Sequence, residues 1–150
     1  MPSNHAPDPA AASRADSRLR LQKALLRFTA IILFTGLPGA LLPGIAAEKF
    51  SWLMGLGQPP LGPLMVYLSG NAGFIYVVLG VLVWAISNDP VRHRPLVVLM
   101  GWILVIGGPA YLSIDLQAGL PAWWIALDSV ACLAVGSGIL WACRLRPPAE

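Results

Sequence analysis

Charge is what this 150-residue chain has least of. Asp, Glu, Lys and Arg make up 11% of it, where a soluble domain carries about a quarter. That is too little to cover a water-facing surface, and hydrophobic residues, at 57%, fill the remainder. Cysteine is scarce too. Cys132 and Cys143 lie in one apolar run, and on a helix their spacing puts them roughly 16 Å apart, beyond disulfide reach. They form no CxxC pair and read as small packing residues. The two histidines, His5 in a polar leader and His93 in a charged loop, have no ligand-spaced companions, so no metal site is expected. No Ser-His-Asp set, glycine-rich phosphate loop, haem-type His pair or cysteine cluster occurs in any apolar run. No cofactor is implied and no catalytic residue stands out.

What the chain does have is four apolar runs, bounded by basic residues. The net charge of +3 does not point to nucleic acid. The Lys and Arg residues sit at the ends of the runs, where they orient a membrane protein, and no basic groove or aromatic platform accompanies them. Residues 1–20 are rich in Pro, Ala, Ser and charge and nearly empty of large apolar side chains, which predicts a disordered tail. The predicted spans are about 24–46, 63–87, 96–116 and 122–143, each near or above the ~20 residues that cross a hydrocarbon core. The domain organisation is thus a tail at 1–20, a four-helix membrane domain at 21–146 and a short tail at 147–150.

Within the first span, Gly36 and Pro38 predict a kink, and Gly36 and Ala40 are small residues four apart that suit a helix contact. A cleaved signal peptide is the rival reading, since Gly44-Ile45-Ala46 loosely resembles a small-residue cleavage site; the long charged leader and near full-length apolar run argue against it. Residues 47–60 are amphipathic and predict a surface-lying loop with Trp52 at headgroup level. Gly107-Gly108-Pro109 predicts a bend in the third span. Basic residues fall in the tail, in the loop at 88–95 and after Cys143, whereas the two other loops hold only Lys49. By the positive-inside rule, both termini are cytoplasmic. The expected fold class is an all-α integral membrane protein: an antiparallel four-helix transmembrane bundle, multi-pass in a cell inner membrane.

Depth along the spans can then be estimated. The fourth helix starts from the outside near Ala122, so Asp128 lies roughly 10 Å into it, in the outer half of the bilayer. Asn71 falls at comparable depth on the second helix, with Tyr67 one turn above. Tyr111 and Ser113 reach that level on the third, and Thr35 lies in the outer half of the first. A bundle would gather these polar groups into one layer. An ionisable group in a span costs about 2.5 to 3.5 kcal/mol on insertion scales and so faces the interior. Asp128 reads either as a proton-exchanging or ligand-anchoring carboxyl, or as interhelical glue. Asn71 carries the same two readings, since interhelical amide bonds contribute roughly 0.6 to 2 kcal/mol. Ser69, Gly73 and Gly80 fall on one side of the second helix and Tyr67 and Asn71 almost opposite. Trp124, Asp128, Cys132 and Gly136 recur every four residues along the fourth helix, and the small members of that stripe read as packing. Asp115 reads as a solvated end charge.

Leu26-Arg27 opening the first span, Tyr67-Leu68-Ser69-Gly70-Asn71-Ala72-Gly73 in the second, Asp89-Pro90-Val91-Arg92-His93-Arg94-Pro95 in the middle loop and Asp115-Leu116-Gln117-Ala118-Gly119-Leu120-Pro121-Ala122-Trp123-Trp124 form a pattern over about 20–143. It resembles the small bacterial four-span membrane proteins of the DoxX-like kind, most of them uncharacterised. Some of those relatives are associated with quinone-linked redox modules, and no residue here takes over that role. The expected function is that of a non-catalytic membrane protein. It would be an accessory or assembly subunit, or a binder of a lipid-like ligand held by Asp128, Asn71, Tyr67 and Tyr111. The alternative is a membrane enzyme acting on a lipid or quinone, with Asp128 as acid or base. A small proton-coupled transporter is disfavoured, because such proteins carry an essential Glu in the first helix and this first span has no acid. Expected partners are membrane lipids and either a membrane-protein partner or a second copy of the chain.

Overall fold

The computed structural model describes residues 9–57 and 62–144, and every regular element among them is helical. The first helix, α1, covers Pro9–Phe34. It reaches further back than the sequence predicts: residues 9–20, expected as part of a disordered tail, are helical, while residues 1–8 lie outside the described residues. Ala and Arg are strong helix formers, and Arg20 Nη2 donates to Asp16 Oδ2 one turn away at 2.6 Å, a pairing that supports a helix locally.

The expected kink in the first span is a double break. Backbone N–H groups of Thr35 and Gly36 bond three residues back, to Ile32 and Leu33, closing α1. A short helix, α2, covers Leu37–Leu41, and α3 begins at Pro43 and runs to Leu53. Proline pushes the residue before it out of helical geometry, and Leu42 accordingly has φ −136° and ψ 61°. The apolar segment long enough to cross a membrane is therefore Asp16–Leu41, earlier in the chain than the expected 24–46. The amphipathic stretch expected as a loop is largely the helix α3. Pro59 and Pro60 lie outside the described residues.

Three long helices follow: α4 at Pro63–Asn88, α5 at Arg94–Ala118 and α6 at Ala122–Arg144. Each includes a stretch long and apolar enough to cross a membrane, which with the first makes four among the described residues. Helix α5 continues through Pro109 to its end. It closes on Gly119, whose φ of +68° is left-handed and whose N–H bonds the carbonyls of Asp115 and Leu116, a common helix stop. The tail expected at 147–150 and Arg146 lie outside the described residues.

The helices associate as two close pairs. Along α1, α2 and α4, Ala30 meets Gly80, Gly36 meets Tyr76 and Gly39 meets Ser69, so the partners run in opposite directions. The tightest point is Gly73, where a Cβ would stand 2.6 Å from the Gly36 oxygen and from the Gly39 carbonyl carbon. Along α5 and α6, Gly101 meets Ile139 and Leu140 while Gly108 meets Leu133, again in opposite directions. Helix α1 joins the pairs by packing on α6: Gln22 Nε2 donates to Cys143 Sγ at 3.1 Å. By contrast α4 and α5, although linked by a short turn, make no extended contact.

The apolar core sits at one end of this arrangement. Leu26, Ala30, Val83, Val97, Ile139 and Cys143 form a single buried cluster, and all lie toward the α4–α5 turn. We call this the basal end; the end carrying α3 and the α5–α6 turn is the distal end. Arg94 Nη2 donates to the Cys143 carbonyl at 3.2 Å and fastens the start of α5 to the end of α6. Also near the base, the guanidinium carbons of Arg18 and Arg27 each stand 5.6 Å from a ring centroid, of Trp141 and Trp84 respectively. In the distal half the buried residues are different in kind: Met54 and Ser51 of the α3 region, Asp115 of α5 and Ser129 of α6.

Candidate functional site

Four polar side chains from three helices meet in the distal half. Tyr111 of α5 lies within electrostatic range of Tyr76 of α4 and of Asp128 and Cys132 of α6. Asp128 and Asp115 are close enough for their carboxyls to repel. The levels agree with the helix contacts: Gly36 touches Tyr76 on one pair, and Gly108, one turn below Tyr111, touches Leu133, one turn below Asp128, on the other. Helices α4 and α5 make no extended contact, so the approach of the two tyrosines is a local one between the pairs.

Of the residues expected to form a layer, Asp128 and Tyr111 lie within electrostatic range of one another. The structure does not bring Tyr67 or Asn71 to them. Tyr67 is 63% exposed and Asn71 is exposed as well; both point away from the glycine face that packs α4 on α1 and α2. A helix has one close-packing side, and Gly73 and Gly80 take it, leaving the opposite side outward. Thr35 and Ser113 do not join either. Thr35 Oγ1 donates to the Ile32 carbonyl at 2.6 Å, and the exposed Ser113 hydroxyl accepts from Gln117 Nε2 at 3.1 Å.

Two members were not expected. Tyr76 lies three residues after Gly73 and four before Gly80, a spacing that puts it near the packing face of α4. Asp115 is 5% exposed, not a solvated end charge. It follows Gly101 and Gly108 at intervals of seven, so it shares the α5 face that the short turn at 119–121 covers with α6. Its Oδ2 and the Oγ of Ser129, itself 7% exposed, are buried atoms without a hydrogen-bond partner. Burying such atoms unpaired costs about 1 to 3 kcal/mol each.

Among the described residues neither Asp115 nor Asp128 forms an ion pair, and Lys49 on α3 is the sole basic residue in the distal half. The described residues include no group of three or more His, Cys, Asp or Glu placed to hold a metal ion. The distal end is bridged by α3, which packs on α4 and sets Phe50 edge-on against Trp124 of α6, with ring centroids 5.4 Å apart. Trp123 meets Trp124 in a second edge contact at 5.6 Å. The site is thus an acidic and phenolic layer with aromatic rings in contact at its distal side. No family model matches the chain, and no curated protein or solved structure matches it significantly.

Proposed function

We propose that this protein is a non-catalytic integral membrane protein that binds a lipid-like molecule in the outer half of the bilayer, by shape and hydrogen bonding. The carrying observation is the division of the molecule. Its buried apolar cluster lies at the basal end, and the two buried polar atoms without partners among the described residues, Asp115 Oδ2 and Ser129 Oγ, lie in the distal half on α5 and α6. A bundle built only for stability would fill that region with apolar side chains, because replacing a buried unpaired polar group by an apolar one is neutral or stabilising.

The orientation follows from charge. Arg18, Arg20, Lys23, Arg27, Arg92 and Arg94 gather at the basal end, which by the positive-inside rule faces the cytoplasm. The bundle is then an antiparallel four-span unit of an inner membrane, of the DoxX-like kind in general pattern, with the polar layer in the outer half. A second reading, a membrane enzyme on a lipid or quinone, draws on Asp128 as acid or base, with Asp115 and Tyr111 within its electrostatic range.

The deciding experiment is native mass spectrometry of the protein gently extracted from its membrane. A lipid-like molecule should be retained by the unaltered chain and lost from Asp128→Leu, with helicity and thermal midpoint preserved. A stoichiometric protein partner with no small molecule would make the chain an accessory subunit, and the binding reading would fall. Conversion of the retained molecule by the unaltered chain but not by Asp128→Asn would establish the enzyme reading.

A further inference from the structure

We propose that the basal end carries a binding site for the headgroup of an anionic phospholipid, formed by Lys23 and Arg27 of α1 beside Trp84 of α4. The site is separate from the distal layer and does not depend on what that layer holds. Arg20, Lys23 and Arg27 recur at intervals of three and four, which sets them along one face of a helix. That face is turned to α4. The Arg27 guanidinium carbon stands 5.6 Å from the centroid of the Trp84 ring, and Ala30, one turn further on, packs on Gly80.

Positive charge is in excess here. Around the base, the acids among the described residues are Asp16 and Asp89, and each already has a partner. Asp16 Oδ2 accepts from Arg20 Nη2 at 2.6 Å, and Asp89 Oδ1 accepts from the Arg92 backbone N–H at 3.1 Å. Among the described residues no carboxylate pairs with Lys23 or Arg27. The ring contact of Arg27 fixes its guanidinium in place and takes none of its N–H donors to an acceptor. An anion from outside the chain complements both side chains, which stand one helical turn apart.

Position along the helices selects a lipid over a soluble polyanion. On the basal side of Lys23 the Asp16–Arg20 ion pair is exposed, as suits water. On the distal side Ile31, one turn beyond Arg27, and Val81, one turn beyond Trp84, are exposed apolar side chains, as suits hydrocarbon. Lys23 and Arg27 stand between the two, at the level of headgroups, where tryptophan is enriched. Cations next to a span attract anionic headgroups. A phosphate held there lets its acyl chains run along Ile31 and Val81, whereas a soluble polyanion would have to displace lipid to reach Arg27.

The test uses the full chain in dodecyl maltoside and two lipids with the same acyl chains, anionic dioleoylphosphatidylglycerol and zwitterionic dioleoylphosphatidylcholine. Each is titrated by native mass spectrometry against the unaltered protein, Lys23→Gln, Arg27→Gln and Arg18→Gln. Arg18 serves as the control: it lies nine residues from Arg27, on the opposite side of the helix, with a ring contact of its own to Trp141. The unaltered protein should prefer phosphatidylglycerol. Lys23→Gln and Arg27→Gln should each weaken that preference about fivefold, the scale of one cation beside a membrane, and Arg18→Gln should leave it nearly unchanged. Folding is read separately, as helicity and thermal midpoint without added lipid. If Arg27→Gln melts early through loss of the Trp84 contact, Lys23→Gln, which has no such contact, carries the test. No preference in the unaltered protein overturns the site. An equal loss from Arg18→Gln also overturns it, since attraction to net charge alone then accounts for binding. Displacement of phosphatidylglycerol by excess glycerol 3-phosphate would overturn the lipid in favour of a soluble anion.

Discussion

At the scale of single residues, Asp115 and Gly73 show opposite uses of burial. Asp115 is buried at a cost, because its Oδ2 has no partner and the nearby Asp128 repels it. Removing the unpaired oxygen should therefore stabilise the protein. Asp115→Leu, which removes the unpaired oxygen, is expected to gain about 1 kcal/mol and to raise the thermal midpoint by roughly 2 to 8 °C, measured by a thiol-reactive dye that reports exposure of buried Cys143. A fall in the midpoint would mean that the carboxyl holds the helices together, as interhelical glue does. Gly73 is buried to advantage. Gly73→Ala places a Cβ 2.6 Å from backbone atoms of Gly36, in the break before α2, and of Gly39 in α2, which have little room to yield, and should destabilise by about 1 to 3 kcal/mol. Gly44→Ala on α3 meets nothing within 4 Å and serves as the control, with its midpoint unchanged or slightly raised. Equal effects at the two glycines would show that the α2–α4 crossing is not close.

At the scale of elements, length and punctuation were legible in the sequence and rotation was not. Pro63, Asn88, Ala118 and Ala122 bound helices close to their expected places, because Pro, Gly and charge mark ends whatever the helix touches. The first span was misplaced by the pull of its apolar run, which continues past Leu42 although Pro43 has already broken the backbone. Rotation is hidden because a helix in lipid is apolar on every side and its hydrophobic pattern no longer names an inner face. Small residues name it instead. Tyr67 and Asn71 share depth with the layer but not its side, whereas Tyr76 stands close to the Gly73 and Gly80 side. The seven-residue spacing of Gly101, Gly108 and Asp115 carried the same signal for α5. The stripe of Asp128, Cys132 and Gly136 on α6 lies inward: Gly136 would place a Cβ 2.8 Å from the Gly101 oxygen.

At the scale of the molecule, orientation and shape are separate questions. With Cys132 and Cys143 changed to Ala, a single cysteine replacing Glu48 should react in intact cells with a membrane-impermeant maleimide, and one replacing Arg92 should react only after lysis. Labelling of the Arg92 position first would invert the molecule and put the polar layer in the inner half of the bilayer. The shape has a mechanical consequence whichever way it faces. Val83, Val97 and Ile139 tie the helix pairs together at the base, while the distal ends of α4 and α5 lack extended contact. From Val83 to Pro63 is a lever about 30 Å long at 1.5 Å per residue. A pivot of roughly 5° at the base moves the far tip by about 3 Å, close to the width of a methyl group, so slight shifts among well-packed side chains are magnified into the difference between a shut seam and a parted one.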